Sequence, residues 1–176
     1  NDGIEWIEAG VDRTPQVKAS AHFLRGLGYG YLGLLFDKGF VVTLITNGSK
    51  LDKLVKHLPK EKISKILWVG VDIDSGLPES YEDIRKSLTT YAMLPRVKDN
   101  IRLAVAAGFN IDIKALLMPQ NTTDIELEAL FDFVKDTGAR QLHIRPLFDL
   151  ETQKVFDVTD EIKQKIQSIS SVTGIK

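Results

Sequence analysis

The chain has 176 residues, 43% of them apolar and 27% charged, with a net charge of −1. That length can bury the core of one domain, and the charge balance speaks against a nucleic-acid or acidic-membrane surface. With no cysteine present, disulfides, thiolate metal sites and a cysteine nucleophile are excluded. No apolar run approaches the ~18 residues of a membrane span, and Asp2, Glu5 and Glu8 replace the basic region of a signal peptide, so a cytoplasmic protein is expected.

In chain order, residues 4–8 read as a short strand and residues 17–37 as a helix weakened by Gly26, Gly28, Gly30 and Gly33. Residues 40–46, FVVTLIT, form the clearest strand, rich in β-branched and aromatic residues. A short helix over 51–58 precedes a strand over 66–74. Helices follow over 80–87 and 97–107, separated near Pro95 and ended by Gly108. A strand over 109–118 leads to a helix capped by Thr122 or Thr123 and ended by Gly138. Residues 141–147 are a strand, and Thr159 caps a last helix to about residue 168. Alternation of this kind implies a parallel sheet with right-handed crossovers, either doubly wound or barrel-like.

The strands decide between these two. A sheet covered on both faces reads as continuous apolar runs. Here Asp72 and Asp74 oppose Val71 and Ile73, Asp112 and Lys114 oppose Ile111 and Ile113, and His143 and Arg145 oppose Leu142 and Ile144. Residues at i and i+2 share a face, so three strands each carry one apolar and one ionisable face. The expected fold is an α/β partial barrel of about five parallel strands with outer helices and a site near the C-terminal strand ends. The alternative is a purely structural network of charges across a wet sheet.

Four segments, in order, then carry a family resemblance. Residues 39–48 (GFVVTLITNG), 69–87 (VGVDIDSGLPESYEDIRKS), 97–122 (VKDNIRLAVAAGFNIDIKALLMPQNT) and 130–147 (LFDFVKDTGARQLHIRPL) resemble the third to sixth strand units of radical S-adenosylmethionine enzymes. The resemblance implies a TIM-barrel-related core over residues 39–147 of a single domain, with 148–176 as a C-terminal extension. It implies S-adenosylmethionine and a 4Fe-4S cluster as cofactors, and a 5′-deoxyadenosyl radical as the product of their reaction. Thr46 and Asn47 would lie near the methionine end of the cofactor. Asp72 or Asp74, with Ser75, would lie near its ribose. Strand 141–147 would pass the adenine, while His143 and Arg145, with Lys114 on the same face, would meet the substrate or the cofactor carboxylate. The family's first strand and C-x-x-x-C-x-x-C loop are lacking, and its Gly-Gly-Glu motif falls on Ala9-Gly10-Val11. This chain alone is therefore expected to hold no cluster, bind the cofactor weakly and be inactive. No catalytic residue and no metal ligand is assigned, and the substrate, a small molecule or a peptide, is not identified.

Two other readings stand beside this one. Gly28-Tyr29-Gly30-Tyr31-Leu32-Gly33 matches G-x-G-x-x-G, the signature of an NAD(P)- or flavin-binding oxidoreductase, but no good strand precedes it and no acid ends the next strand. A non-catalytic barrel remnant is the third. Its missing first strand leaves an edge open to a second copy or another chain. Trp6 and Trp68 are expected in the core, and His22, His57 and His143 lack zinc spacing.

Overall fold

The computed structural model describes residues 38–39, 41–85, 93–149 and 152–175. Its contacts divide the chain into two units, Asn1–Val42 and Thr43–Lys176, and nearly all described residues belong to the second. The expected strand at 4–8, the helix at 17–37, the motif at 28–33 and Trp6 lie outside the described residues.

The described elements run β1 (Val42–Thr46), α1 (Leu51–His57), α2 (Lys60–Ile63), β2 (Ile66–Asp72), α3 (Pro78–Arg85), α4 (Leu94–Ala106) and β3 (Ile111–Leu117). A 3-10 turn, Pro119–Asn121, leads to α5 (Asp124–Thr137), β4 (Gln141–Pro146), the short strands β5 (Phe148–Asp149) and β6 (Lys154–Val155), and α6 (Asp160–Thr173). The main sheet is four-stranded in the order β1-β2-β3-β4, with β2, β3 and β4 parallel. Strand order thus follows chain order. A doubly wound sheet requires a reversal in that order, and right-handed crossovers that always step the same way place their helices on one face. The fold is therefore a singly wound α/β sheet of the barrel type, with no closed barrel among the described residues. Among the described residues four of the about five expected strands are seen; the fifth, residues 4–8, lies outside them. β5 and β6 pair as an antiparallel ribbon, which the sequence reading did not anticipate.

Burial follows the alternation. Val69, Val71 and Ile73 on one strand and Ile111, Ile113, Ala115 and Leu117 on the next lie at 2% exposure or less. Against them pack helical faces at i, i+3 and i+4 spacing: Val97, Ile101 and Ala104 from α4, and Leu127, Leu130, Phe131 and Val134 from α5. Each such large side chain contributes about 1.5–3 kcal/mol by leaving water.

The helix ends follow local chemistry. The Thr123 side chain accepts from the Glu126 N–H at 3.3 Å, and Gly138 ends α5 at φ 71°. Thr159 caps α6 in the same way, which continues to Thr173, past the expected end. The two helices expected on either side of Pro95 are present as α3 and α4; Pro95 lies in the first turn of α4, where a residue without an N–H loses no hydrogen bond, so that helix starts three residues before the expected 97.

One glycine sets how closely the loop after β2 meets α5. A Cβ on Gly76 would collide with the backbone carbonyl of Ala129. Gly76→Ala should therefore lower stability by about 3 kcal/mol, the cost of overpacking against rigid backbone. Gly39→Ala, with φ +81° and nothing within 4 Å, should cost only about 1–2 kcal/mol, from the positive φ. Urea denaturation of the two variants measures the difference, and equal losses would refute the close approach.

Candidate functional site

β2 ends at Asp72, but its pairing with β3 continues, the Ile73 N–H donating to the Lys114 carbonyl at 2.8 Å. Asp74 follows and is 7% exposed. The Leu116 N–H donates to its Oδ1 at 3.0 Å, and its Oδ2 pairs with Arg85 at 2.9 Å. The same Arg85 Nη2 donates to the Asp72 carbonyl at 2.8 Å. Asn121, buried in the 3-10 turn after β3, donates to the carbonyls of Asp74 at 2.6 Å and Leu116 at 2.7 Å. Its Oδ1 accepts from the Met118 N–H at 2.9 Å.

Ser75 is equally engaged. Its hydroxyl donates to Glu126 Oε2 at 2.6 Å and accepts from the Leu77 N–H at 3.0 Å. The Ser80 hydroxyl donates to the other oxygen of Glu126. The side chains of Asp74 and Ser75 thus join the ends of β2 and β3 to the start of α5.

Thr46 and Asn47 build their own turn. Thr46 Oγ1 accepts from the Gly48 N–H at 3.2 Å. Asn47 Oδ1 accepts from the Ser49 N–H at 3.1 Å and the Ser49 hydroxyl at 2.8 Å. Gly48 takes φ +79°, and a Cβ there would meet Val97 and Val71 at 2.7 and 2.8 Å. Asn100 of α4 donates to the carbonyls of Gly48 and Ser49 at 3.2 and 3.1 Å.

The remaining expected residues share the sheet face opposite the helices. Cα partners across the strands are Asp72 with Lys114, Lys114 with His143, and Leu116 with Arg145. Asp72, Lys114 and His143 therefore form a row, with Arg145 one pleat nearer the C-terminal end. Trp68 lies two positions before Gly70 on this face and is half-buried, a correction to its expected place in the core. The Lys114 Nζ stands 4.5 Å from the centroid of the Trp68 ring. Gly70 makes room for this stack: a Cβ there would lie 2.7 Å from Lys114 Cε. The parity of Trp68, Gly70 and Asp72, two apart along β2, is the signal that places the tryptophan here.

Toward the N-terminal strand ends, Asp112 is 2% exposed. Arg140 grips it with Nε at 3.0 Å and Nη2 at 2.9 Å, and His143 Nε2 stands 3.6 Å away. The Asp112 carboxyl holds the Arg140 guanidinium above its ordinary pKa. Sequence reasoning missed Arg140, which precedes β4 and belongs to no periodic face.

Asp72 differs from Asp74. No hydrogen-bond donor among the described residues reaches its carboxyl. Burial raises its pKa, opposed by the charges of Arg85 and Lys114 and reinforced by Asp74. Among the described residues no group of three His, Cys, Asp or Glu could hold a metal ion. No described helix is long and apolar enough to cross a membrane.

The raised pKa fixes the sign of a pH effect. Between the ordinary value of 3.8 and the folded value, the folded chain binds more protons than the unfolded one, so stability rises as pH falls through that window. Asp72→Asn, uncharged and similar in shape, should therefore be more stable than the native chain at pH 7. Its advantage should shrink through the raised pKa and vanish below the ordinary carboxylate range. Urea melts of both chains across this range test it, and a less stable Asp72→Asn at pH 7 would show that attraction to Arg85 and Lys114 outweighs burial.

No family model matches the chain, and no curated protein matches it. Fourteen chains of solved structures do match. One is a radical SAM methyltransferase from Sphaerobacter thermophilus, with a TM-score of 0.59 and 15% identity over 76% of this chain. The match covers 38% of that protein's length. At this identity the likeness is one of fold: an α/β core with a parallel sheet and its helices, similar to that of a radical SAM enzyme.

Proposed function

We propose that this chain is part of a radical S-adenosylmethionine core and retains the nucleoside side of its cofactor pocket. The observation that carries the proposal is the Asp72 carboxyl. It is half-buried at the C-terminal end of β2 and meets no donor among the described residues. Partial burial without a protein donor leaves this carboxyl less well solvated than a free one, and a ribose supplies two adjacent hydroxyl donors. Arg85 Nε beside it is buried and also lacks a partner, so the strand end has unspent capacity of both kinds. The fold likeness and the ordered sequence segments support the same family.

Fit differs between the two cofactors. For S-adenosylmethionine, Asp72 would accept from the ribose. Lys114 and Trp68 would line the floor, and His143 and Arg145 would face the open side. Asp74 and Ser75, whose polar atoms are spent on Leu116, Arg85, Glu126 and Leu77, position the strand end without touching the ligand. The residues present do not fit an iron–sulfur cluster, whose ligands are cysteine thiolates. The chain has no cysteine, so no step of a reaction is assigned to it.

The half-site sets the expected affinity. The ordering cost of binding stays while many contacts of the complete pocket are lost. Calorimetric titration of the chain with S-adenosylhomocysteine should give a dissociation constant of about 1 mM or weaker, near −4 kcal/mol. Asp72→Ala should abolish the binding. Tight binding that survives Asp72→Ala would place the nucleoside elsewhere and remove the basis of the proposal.

A further inference from the structure

The sheet face opposite the helices holds more cationic donors than the described residues satisfy. Lys114 carries its stem across Gly70 and rests its ammonium on the Trp68 ring, with no acceptor for its N–H groups among the described residues. Arg145 is exposed near the C-terminal end of β4 and has neither an ion pair nor a hydrogen bond among the described residues. His143 Nε2 stands 3.6 Å from Asp112 Oδ2, beyond ordinary hydrogen-bond length, because the Arg140 fork already takes both oxygens of that carboxyl.

The carboxyls nearby do not balance these groups. Asp112 is engaged by Arg140 and Asp74 by Arg85. That leaves Asp72, which feels Arg85 as well as Lys114. The excess is local, since the chain as a whole carries a net charge of −1. Their backbones are close: Lys114 and His143 are neighbours on adjacent strands, about 4.8 Å apart, and Arg145 lies about 6.6 Å further along β4 by strand geometry. The Lys114 ammonium leans back over Gly70 onto Trp68, away from Arg145, so one carboxylate or phosphate group meets both cations when the flexible lysine stem swings off the ring. Lys114 is half-buried beside an indole, where a charge-assisted hydrogen bond to an anion is stronger than in open water.

We infer that this face binds an anionic small molecule, whose carboxylate or phosphate oxygens are taken by Arg145 and Lys114 with the His143 imidazole beside them. The inference names a substrate class for the proposed pocket, and it rests on that reading in placing the substrate next to the nucleoside side.

Trp68 provides the readout. The chain has two tryptophans, so Trp6→Phe leaves Trp68 as the sole indole, in contact with Lys114. This variant is titrated with inorganic phosphate and with succinate, each against sodium chloride at matched ionic strength. A saturable emission change beyond that of chloride is expected, and the anion that saturates first separates a phosphate from a carboxylate ligand. Arg145→Gln, whose side chain lies away from the ring, should weaken half-saturation at least tenfold. Lys114→Gln should do likewise, and Lys163→Gln, in an exposed pair with Asp160 on α6, should not.

Emission that follows ionic strength alone, or half-saturation unchanged by Arg145→Gln, overturns the inference. Competition of phosphate by S-adenosylhomocysteine but not by adenosine would assign these cations to the cofactor's own carboxylate and overturn it too. The two proposals fail separately. Adenosine binding that needs Asp72, without anion binding, keeps the nucleoside reading alone. Anion binding without any nucleoside binding removes that reading and keeps an anion site.

Discussion

The buried carboxyl of Asp74 is the tie on which the upper end of the sheet depends. Beyond the last ladder bonds two parallel strands ordinarily part, each following its own loop. Here Asp74 takes the Leu116 N–H, and Asn121 bridges the carbonyls of Asp74 and Leu116. Three backbone polar groups beyond the ladder are thereby satisfied, the Asp74 carbonyl among them buried. The ion pair with Arg85 is the lesser part of this stabilisation. Arg85 is a quarter exposed, and an ion pair reached by water contributes little net energy. The hydrogen bonds to buried backbone matter more, because breaking one leaves a donor or acceptor stranded in the interior. Such a network adds specificity: it permits one arrangement of the β2 and β3 loops and penalises others.

The same tie divides the two aspartates of β2 into different roles. They stand two residues apart and differ in nothing that composition can show. Asp74 lies where the strands converge on the 3-10 turn, and its oxygens are consumed there. Asp72 lies one pleat earlier, opposite Lys114 in register, where neither neighbouring strand offers an N–H toward its carboxyl. Burial without donors raises its pKa, while Arg85 and Lys114 restrain the rise. A carboxyl in that state has acceptor capacity that the fold has not used, at a desolvation cost that folding has already imposed.

Much of the fold was legible in the sequence, since each signal had a local cause. β-Branched runs marked β1 and β2, while Thr123 with Gly138 bounded α5. Alternating charges on three strands foretold a sheet with helices on one face and ionisable side chains on the other. Pro95 marked the boundary between α3 and α4, but the start of α4 was placed three residues late, because proline fits the first turn of a helix as well as the gap before one. The ribbon at 148–155 escaped because its strands are two residues long, too short for a period to show. Within the site, the shared face of Asp72, Lys114, His143 and Arg145 follows from parity alone. The engagement of Asp74 and Ser75 does not, since their partners Leu116 and Glu126 lie 42 and 51 residues away. Distance along the chain hid those contacts, and no local pattern could have revealed them.

A singly wound sheet covers one face with its own helices and must find another solution for the second. Among the described residues that face carries long, amphipathic side chains rather than apolar ones. Lys114 lies on Trp68 over the notch left by Gly70, so a methylene stem and an indole shield the sheet while the ammonium keeps contact with solvent. Asp112, buried under the Arg140 fork, closes the N-terminal end of the same face with both of its oxygens engaged. Asp74, held by Leu116 and Arg85, closes the other end. The side chains on this face without a hydrogen-bond partner among the described residues, Asp72, Lys114 and Arg145, lie in register between or beside these two engaged carboxyls. Polarity is therefore satisfied first where the strands begin and where they meet their loops, and least along the stretch between.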